Sequence, residues 1–498
     1  MKRLYFLLCS LVVFTGALAS TNPERPKLVV GIMVDQMRWD YMYYYHDRFT
    51  GGGFERLLNE GFSCSNTIID YVPTVTACGH ASVYTGSTPA FHGIAGNNYF
   101  IHGKHVSSVQ DDEANGVGTE RKAGKRSPRN LLATTIGDEL RLATQFASRV
   151  YGVALKDRAS VLPAGHAANG AFWYSQKDAA FITSDYYMKQ LPKWVSHFNR
   201  QNADLLKTNL SRSPKGVSMT FAMAKAILKN ERLGQTGNTD MLAISVSPTD
   251  LISHTYGTRS PQTDSSYVQL DIDLADFLTT LDEQVGRGNY LLFLSADHGG
   301  TNNYKYSAAH HIPSGAWKFW GDDAKEVNRM LEEKFGVKNL IKDFNEFSIY
   351  LNNHAIDSAA LNREAVKAEA KRCFYLSPAV ERVVDLENIS AEPVPQPLKE
   401  RLVKGYHPER SGELFVVLKP GYYAGDETED GSNHGTWSTD DAHIPLVFMG
   451  WGIKHGETAK PVGMTSIAPT ICAMLHIQMP SVCIGTPITA ITDPALNR

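Results

Sequence analysis

The sequence has no excess of basic residues. Lys and Arg total 49 against 52 Asp and Glu, a formal charge of −3. That balance argues against a dedicated nucleic-acid binder, which needs a basic stripe to neutralise phosphates. There is no long acidic tail, and neither an internal repeat nor a low-complexity block stands out. Gly (40) and Pro (23) are near ordinary usage, which excludes collagen-like and linker-dominated chains. Cysteine is scarce, with six in 498 residues. No CxxC pair occurs, and a chain this long does not need a disulfide framework. After residue 19, no continuous apolar stretch is long enough to cross a bilayer. What remains is 43% hydrophobic and 20% charged. Such a chain can fold around an extensive core.

The N-terminus adds a processing signal. Lys2 and Arg3 precede an apolar run over 4–18, and Ala17-Leu18-Ala19 gives a small-x-small cleavage pattern. Residues 1–19 therefore read as a secretory signal peptide. The rival reading is a retained anchor, since the run is only a little short of a membrane span. Without the peptide, Cys64, Cys78, Cys373, Cys472 and Cys483 remain. An odd number leaves at least one unpaired within a monomer. The mature chain is expected to be periplasmic or secreted.

Short apolar runs end on polar residues at several places. The run at 27–35 ends on Asp35. Runs at 148–155, 241–247 and 290–295 lead to Lys156, Asp250 and Asp297 respectively. Helical patterns fill 131–142, 221–228 and 270–285. Strands separated by helices predict an α/β fold with a mostly parallel sheet covered on both faces. Residues about 325–430 differ in texture, with helical patches, Pro-rich turns and strand candidates at 347–351 and 413–418. They read as an inserted subdomain within one catalytic domain spanning 20–498.

The chemistry gathers at the predicted strand ends, where open α/β sheets commonly bind ligands. Any one strand-ending Asp could simply cap a helix or form a turn; several on separate strands are harder to dismiss. Asp250 and His254 have i,i+4 spacing and would share a helix face. Asp297-His298-Gly299-Gly300 delivers an acid and an imidazole ahead of a tight turn. His434 lies in a polar, glycine-containing loop. Carboxylate and imidazole together suit a borderline divalent ion such as Zn²⁺. The set exceeds the needs of one tetrahedral ion, and a metal pair can activate one oxygen while neutralising another.

Thr76 stands where a turn enters a helix and is the candidate nucleophile; Thr74 is a local rival that spacing does not exclude. Read alone, Thr76 would be an N-cap. Asn97 can donate to a phosphoryl oxygen, though a turn asparagine is its plainer role. Alternation along a strand would place Lys156 and Arg158 on one face, as two anion contacts or as a solvated surface. His310-His311 is weak evidence for a metal, and His443 reads as support for the His434 loop.

The ordered set 31–35 (GIMVD), 73–76 (PTVT), 93–97 (GIAGN), 155–158 (LKDR), 248–254 (PTDLISH), 297–300 (DHGG) and 433–435 (NHG) spans nearly the whole mature chain. It resembles the alkaline phosphatase superfamily, especially its threonine-nucleophile, phosphate-irrepressible bacterial phosphatases. The resemblance implies an alkaline-phosphatase-like fold and two zinc sites. One would use Asp250, His254 and His434. The other would use Asp35, Asp297 and His298, with Thr76 oxygen as nucleophilic ligand. It implies a phosphothreonine intermediate, with Asn97, Lys156 and Arg158 holding the transferred group. The substrates would be small-molecule phosphate monoesters, cleaved by a monomer. Asn97 and Thr76 also fit the related nucleotide pyrophosphatase/phosphodiesterases, so diester cleavage is the runner-up. Sulfatases are disfavoured, because residues 76–80 lack the Cys/Ser-x-Pro-x-Arg pattern. A non-catalytic envelope binding protein is the remaining alternative.

Overall fold

The computed structural model of the chain describes residues 24–318 and 322–493. The expected signal peptide, 1–19, lies outside them. The first apolar run forms the strand Leu28–Val34, with every residue buried. A strand apolar on both faces belongs in the middle of a covered sheet. It pairs in parallel with Asp240–Val246 on one side and Tyr290–Ser295 on the other. Val150–Ala154 and then Gly170–Ser175 extend the parallel array. These five strands form the middle of a ten-stranded sheet. The flanks are antiparallel next to them: Leu446–Gly450 lies beside Tyr290–Ser295, and Ala180–Ser184 beside Gly170–Ser175. All five parallel strands end at one edge, which is where Asp35, Lys156, Asp250 and Asp297 emerge.

Helices cover the sheet. The patterns at 221–228 and 270–285 are the inner parts of Pro214–Asn230 and Pro261–Leu281, which pack together. The pattern at 131–142 starts later than expected, as Ile136–Ala143. Thr135 stops it from extending backward. Its hydroxyl accepts from the Asp138 N–H, and the Asp138 carboxylate accepts from the Thr135 N–H. This reciprocal cap satisfies two N–H groups that have no partner within the helix.

The helix Thr76–Thr85 is buried along its whole length. Its small residues allow that. A β-carbon on Gly79 would stand 2.2 Å from the Asp297 carbonyl oxygen and 2.7 Å from its Cα. Gly31 makes room for the same helix, since a β-carbon there would meet the Tyr84 hydroxyl at 2.4 Å. The helix ends at Gly86 in the left-handed region, φ 64°.

A second hydrophobic cluster, separate from the sheet's own, includes Leu331, Ile349, Val366 and Leu414. Over it lies a four-stranded antiparallel sheet in the order Ile341–Asn345, Ser348–Leu351, Leu414–Leu418, Val380–Asp385. This is the inserted subdomain. The strand expected at 347–351 begins one residue later, because Glu346 and Phe347 form a turn with φ of 49° and 68°. The five cysteines of the described residues are free thiols.

The contact at Gly79 yields a test. Gly79→Ala must push the helix off the Asp297 backbone. It should lower unfolding free energy by about 1–3 kcal/mol, the usual cost of overpacking. The readout is the urea midpoint at constant m-value. An unshifted midpoint would show that helix and loop separate freely.

Candidate active site

The strand ends bring three buried carboxylates together: Asp35 and Asp297 are 0% exposed and Asp250 2%. Asp35 directly follows its strand. Asp250 sits in the first turn of Pro248–Tyr256, so the i,i+4 expectation holds and His254 Nε2 lies 3.1 Å from Asp250 Oδ1. Asp297 Oδ1 accepts from the N–H groups of Gln36 and His298, at 3.1 and 3.0 Å.

Each of the three imidazoles is aimed by a backbone carbonyl. Nδ1 of His254 faces the Ser432 oxygen at 2.9 Å, that of His298 the Gly299 oxygen at 2.9 Å, and that of His434 the Thr74 oxygen at 2.8 Å. A carbonyl can only accept, so Nδ1 carries a proton and Nε2 is the nitrogen left to face the carboxylates or a metal. This is the usual outer support of a metal-binding histidine. His434 Nε2 points at Asp250 Oδ1 from 3.5 Å, and His298 Nε2 lies 3.6 Å from Asp35 Oδ1. Burial pushes the His298 imidazole down to about 3, so the ring is neutral.

Two triads have donor atoms all within 4.8 Å of one another: Asp35, Asp297 and His298, and Asp250, His298 and His434. The first matches an expected metal set apart from its threonine. The second differs from the expectation, taking His298 in place of His254. The His298 ring stacks on His434 with centroids 3.6 Å apart, whereas His254 stands 5.1 Å from His434. His254 still reaches Asp250, so all six side chains belong to one connected cluster.

The donor set fits divalent metal. Asp35 Oδ1, Asp250 Oδ1, Asp297 Oδ2 and His298 Nε2 are buried with no hydrogen-bond partner. Orphaned acceptors of this kind are costly unless a cation meets them. The electrostatics agree. Burial, with the Asp297 charge next, raises the Asp35 carboxyl well above the usual range. Burial also works against charge at Asp250, but His254 and Lys156 hold it well below that range.

Lys156 Nζ donates to Asp35 Oδ2 and Asp250 Oδ2, both at 2.6 Å, and lies 3.3 Å from Thr76 Oγ1. Thr76 is the first residue of its helix and 1% exposed. The rival Thr74 hydroxyl instead donates to the Thr436 carbonyl at 2.8 Å. Asn97 Oδ1 accepts from the Ala77 N–H at 3.0 Å, in the first turn of the Thr76 helix.

Two expectations need correction. Lys156 and Arg158 do not alternate along a strand. The strand ends at Ala154, Lys156 is the N-cap of the helix Asp157–Ala164, and Arg158 lies in its first turn. Arg158 still comes close enough to Lys156 and Glu346 to act on their charges, and its Nε is buried without a partner. Asp157 turns away to an ion pair with Arg126. His443 does not support the His434 loop. Its Nε2 faces the Ser65 carbonyl and its ring stacks on Trp39. Asp441 does that work instead, accepting from the Thr436 N–H and the hydroxyls of Thr436 and Thr301. Burial pushes its carboxyl up to about 6. His310 and His311 are exposed.

Sequence reasoning overlooked Glu346 and His80. Glu346 Oε2 accepts from the Asn97 N–H at 2.9 Å, in space that a β-carbon on Gly96 would fill. Nothing local in the sequence marks it. His80 is four residues beyond Thr76, a visible spacing; its Nδ1 lies 2.8 Å from the Thr76 carbonyl and 3.3 Å from Asp297 Oδ2.

Comparison with known proteins agrees with this geometry. A family profile described as type I phosphodiesterase/nucleotide pyrophosphatase matches residues 29–441. A Myroides odoratus protein named calcium-transporting ATPase is 43% identical, over 95% of this chain and 96% of its own length. Alkaline phosphatase PafA of Elizabethkingia meningoseptica is 40% identical, over 96% of both. The crystal structure of wild-type PafA superposes with a TM-score of 0.91 at 40% identity, covering 94% of this chain and 99% of that one. The chain therefore belongs to the type I phosphodiesterase/nucleotide pyrophosphatase family, and within it to the threonine-nucleophile bacterial alkaline phosphatases.

Proposed function

We propose that this chain is a zinc-dependent phosphomonoesterase that releases inorganic phosphate and an alcohol from small phosphate monoesters. The observation that carries the reading is the convergence of orphaned carboxylate and imidazole atoms around Lys156 and the Thr76 hydroxyl. Asp35, Asp297 and His298 would hold one ion, and Asp250, His254 and His434 the other. When bound, the ions supply charge that makes the threonine hydroxyl nucleophilic and neutralises the departing oxygen.

The chain's own groups do the rest. Thr76 Oγ1 loses its proton and bonds to phosphorus as the bond to the leaving oxygen breaks. That oxygen takes up a proton as the alcohol departs. Water then cleaves the phosphothreonine, giving phosphate and restoring the hydroxyl. Asn97, with its carbonyl engaged by Ala77 and its side chain also bonded to Glu346, would turn an amide N–H to a phosphoryl oxygen. Lys156 and Arg158 meet the charge that gathers in the transition state. Two cations at this point favour a monoester dianion over a diester monoanion. The terminal phosphoryl group of ATP presents the same charged end, consistent with the ATPase name of one relative. No helix of the described residues is long and apolar enough to cross a membrane. We place the mature protein outside the cytoplasm as a monomer, with residues 1–19 removed.

Chelation should abolish turnover, and about two equivalents of Zn²⁺ per chain should restore it, counted by native mass spectrometry; restoration without bound metal would sink the metal reading. Thr76→Ala should lower phosphomonoester kcat by at least ~10³-fold with metal content retained. An unchanged rate would remove Thr76 from the chemistry. With a monoester and a diester sharing one leaving group, Lys156→Ala should cost the monoester at least ~10-fold more in kcat/KM. Equal losses, or diester preference in the unmodified chain, would favour the phosphodiesterase alternative.

A further inference from the structure

A cavity of about 210 Å³ remains beside the metal ligands once these roles are assigned. Asn97, His254 and His434 line it, together with Trp317, Phe344 and Phe347. The aromatic residues come from the inserted subdomain and its approach. Phe344 meets Trp317 edge-on, at 5.5 Å between centroids and 88° between planes. Phe347 is stacked with Trp317 at 6.3 Å and 19°.

The backbone there is held in an unusual state. Ile341–Asn345 and Ser348–Leu351 form a hairpin in which Asn345 pairs with Ser348. The two residues between them, Glu346 and Phe347, both have positive φ. Two-residue hairpin turns of this hand favour Asn-Gly, because a β-carbon is strained at both positions. Here the positions carry two large side chains, and both are engaged at the site. Glu346 holds the Asn97 N–H. Phe347 lies against the loop of His434, where a β-carbon on Gly435 would stand 2.9 Å from its ring. Strained residues of this kind persist where the surrounding structure holds them, and they cluster at ligand sites.

We infer that this hairpin tip forms the leaving-group site, and that the preferred monoesters carry a flat apolar leaving group such as an aryl or arylmethyl alcohol. The inference rests on the phosphomonoesterase reading. In-line attack by Thr76 sends the departing oxygen away from the nucleophile, toward Asp250, His254 and His434, the residues that would hold the second ion and its neutralising charge. The cavity shares His254 and His434 with that ion site, so the group attached to the oxygen enters the aromatic wall. An aromatic ring there gains apolar burial and edge or face contact with Trp317 and Phe344.

Benzyl and ethyl phosphate test this, because their alcohols are of similar acidity and differ mainly in the ring. The zinc-loaded full chain should favour benzyl phosphate about tenfold in kcat/KM. Phe344→Ala should lower the benzyl value about tenfold, with ethyl phosphate and inhibition by inorganic phosphate changed less than about twofold. Trp317→Leu, which keeps an apolar core residue, should move the ratio the same way. A ratio near one in the unmodified chain overturns the inference, and that measurement needs no variant. An unchanged ratio in variants that fold by circular dichroism overturns it as well. If neither ester is hydrolysed at all, the phosphomonoesterase reading itself fails; a working phosphatase with a flat ratio sinks only the leaving-group site.

Discussion

Three buried carboxylates in one cavity set the terms for the rest of the molecule. Asp35, Asp250 and Asp297 are all removed from water, and charges so placed are costly unless each is met by hydrogen bonds or cations. The protein answers from several directions. Backbone N–H groups take one oxygen of Asp297. The Lys156 ammonium bridges Asp35 and Asp250. The oxygens still unmatched face the imidazoles, and burial keeps that of His298 neutral. That arrangement stabilises a cation in the cavity far better than it stabilises an empty one.

Holding such a cluster together requires rigidity around it, and the fold supplies it by close approach. The central strand gives up a side chain at Gly31, and the Thr76 helix gives up one at Gly79. The Thr76 helix therefore meets the Asp297 backbone at Gly79 and the Asp35 strand through the Tyr84 side chain at Gly31, with little room to slide. Asp441 and Thr74 perform the same service for the His434 loop through hydrogen bonds. Small displacements at a reacting centre are expensive, so these supports matter as much as the groups they hold.

What the sequence made legible was whatever local spacing expresses. Seven apolar residues before Asp35 mark a buried strand, and the i,i+4 spacing of Asp250 and His254 survives intact in a helix. The Lys156–Arg158 pair shows the limit. Both are at the site, but the reading of a strand failed because the chain turns into a helix after Ala154. His443 failed for a related reason, since its partners Trp39 and Ser65 lie near the other end of the chain. Glu346 was beyond reach altogether. Its role depends on how a subdomain with its own core docks against Asn97, and no periodicity encodes that.

The pairing of the central strand has a consequence for how the chain comes to be folded. Leu28–Val34 is among the earliest segments described, yet its two neighbours lie at 240–246 and 290–295. The middle of the sheet therefore closes only after more than half of the chain is available. Contacts of such long range are slow to form, because loop-closure entropy is lost before they stabilise anything. The donors at Asp35 and His434 stay apart until that closure, so the complete donor cluster is a late product of folding. With all five described cysteines free, no disulfide among them holds an intermediate in place, and the assembly of the sheet itself sets the order of events.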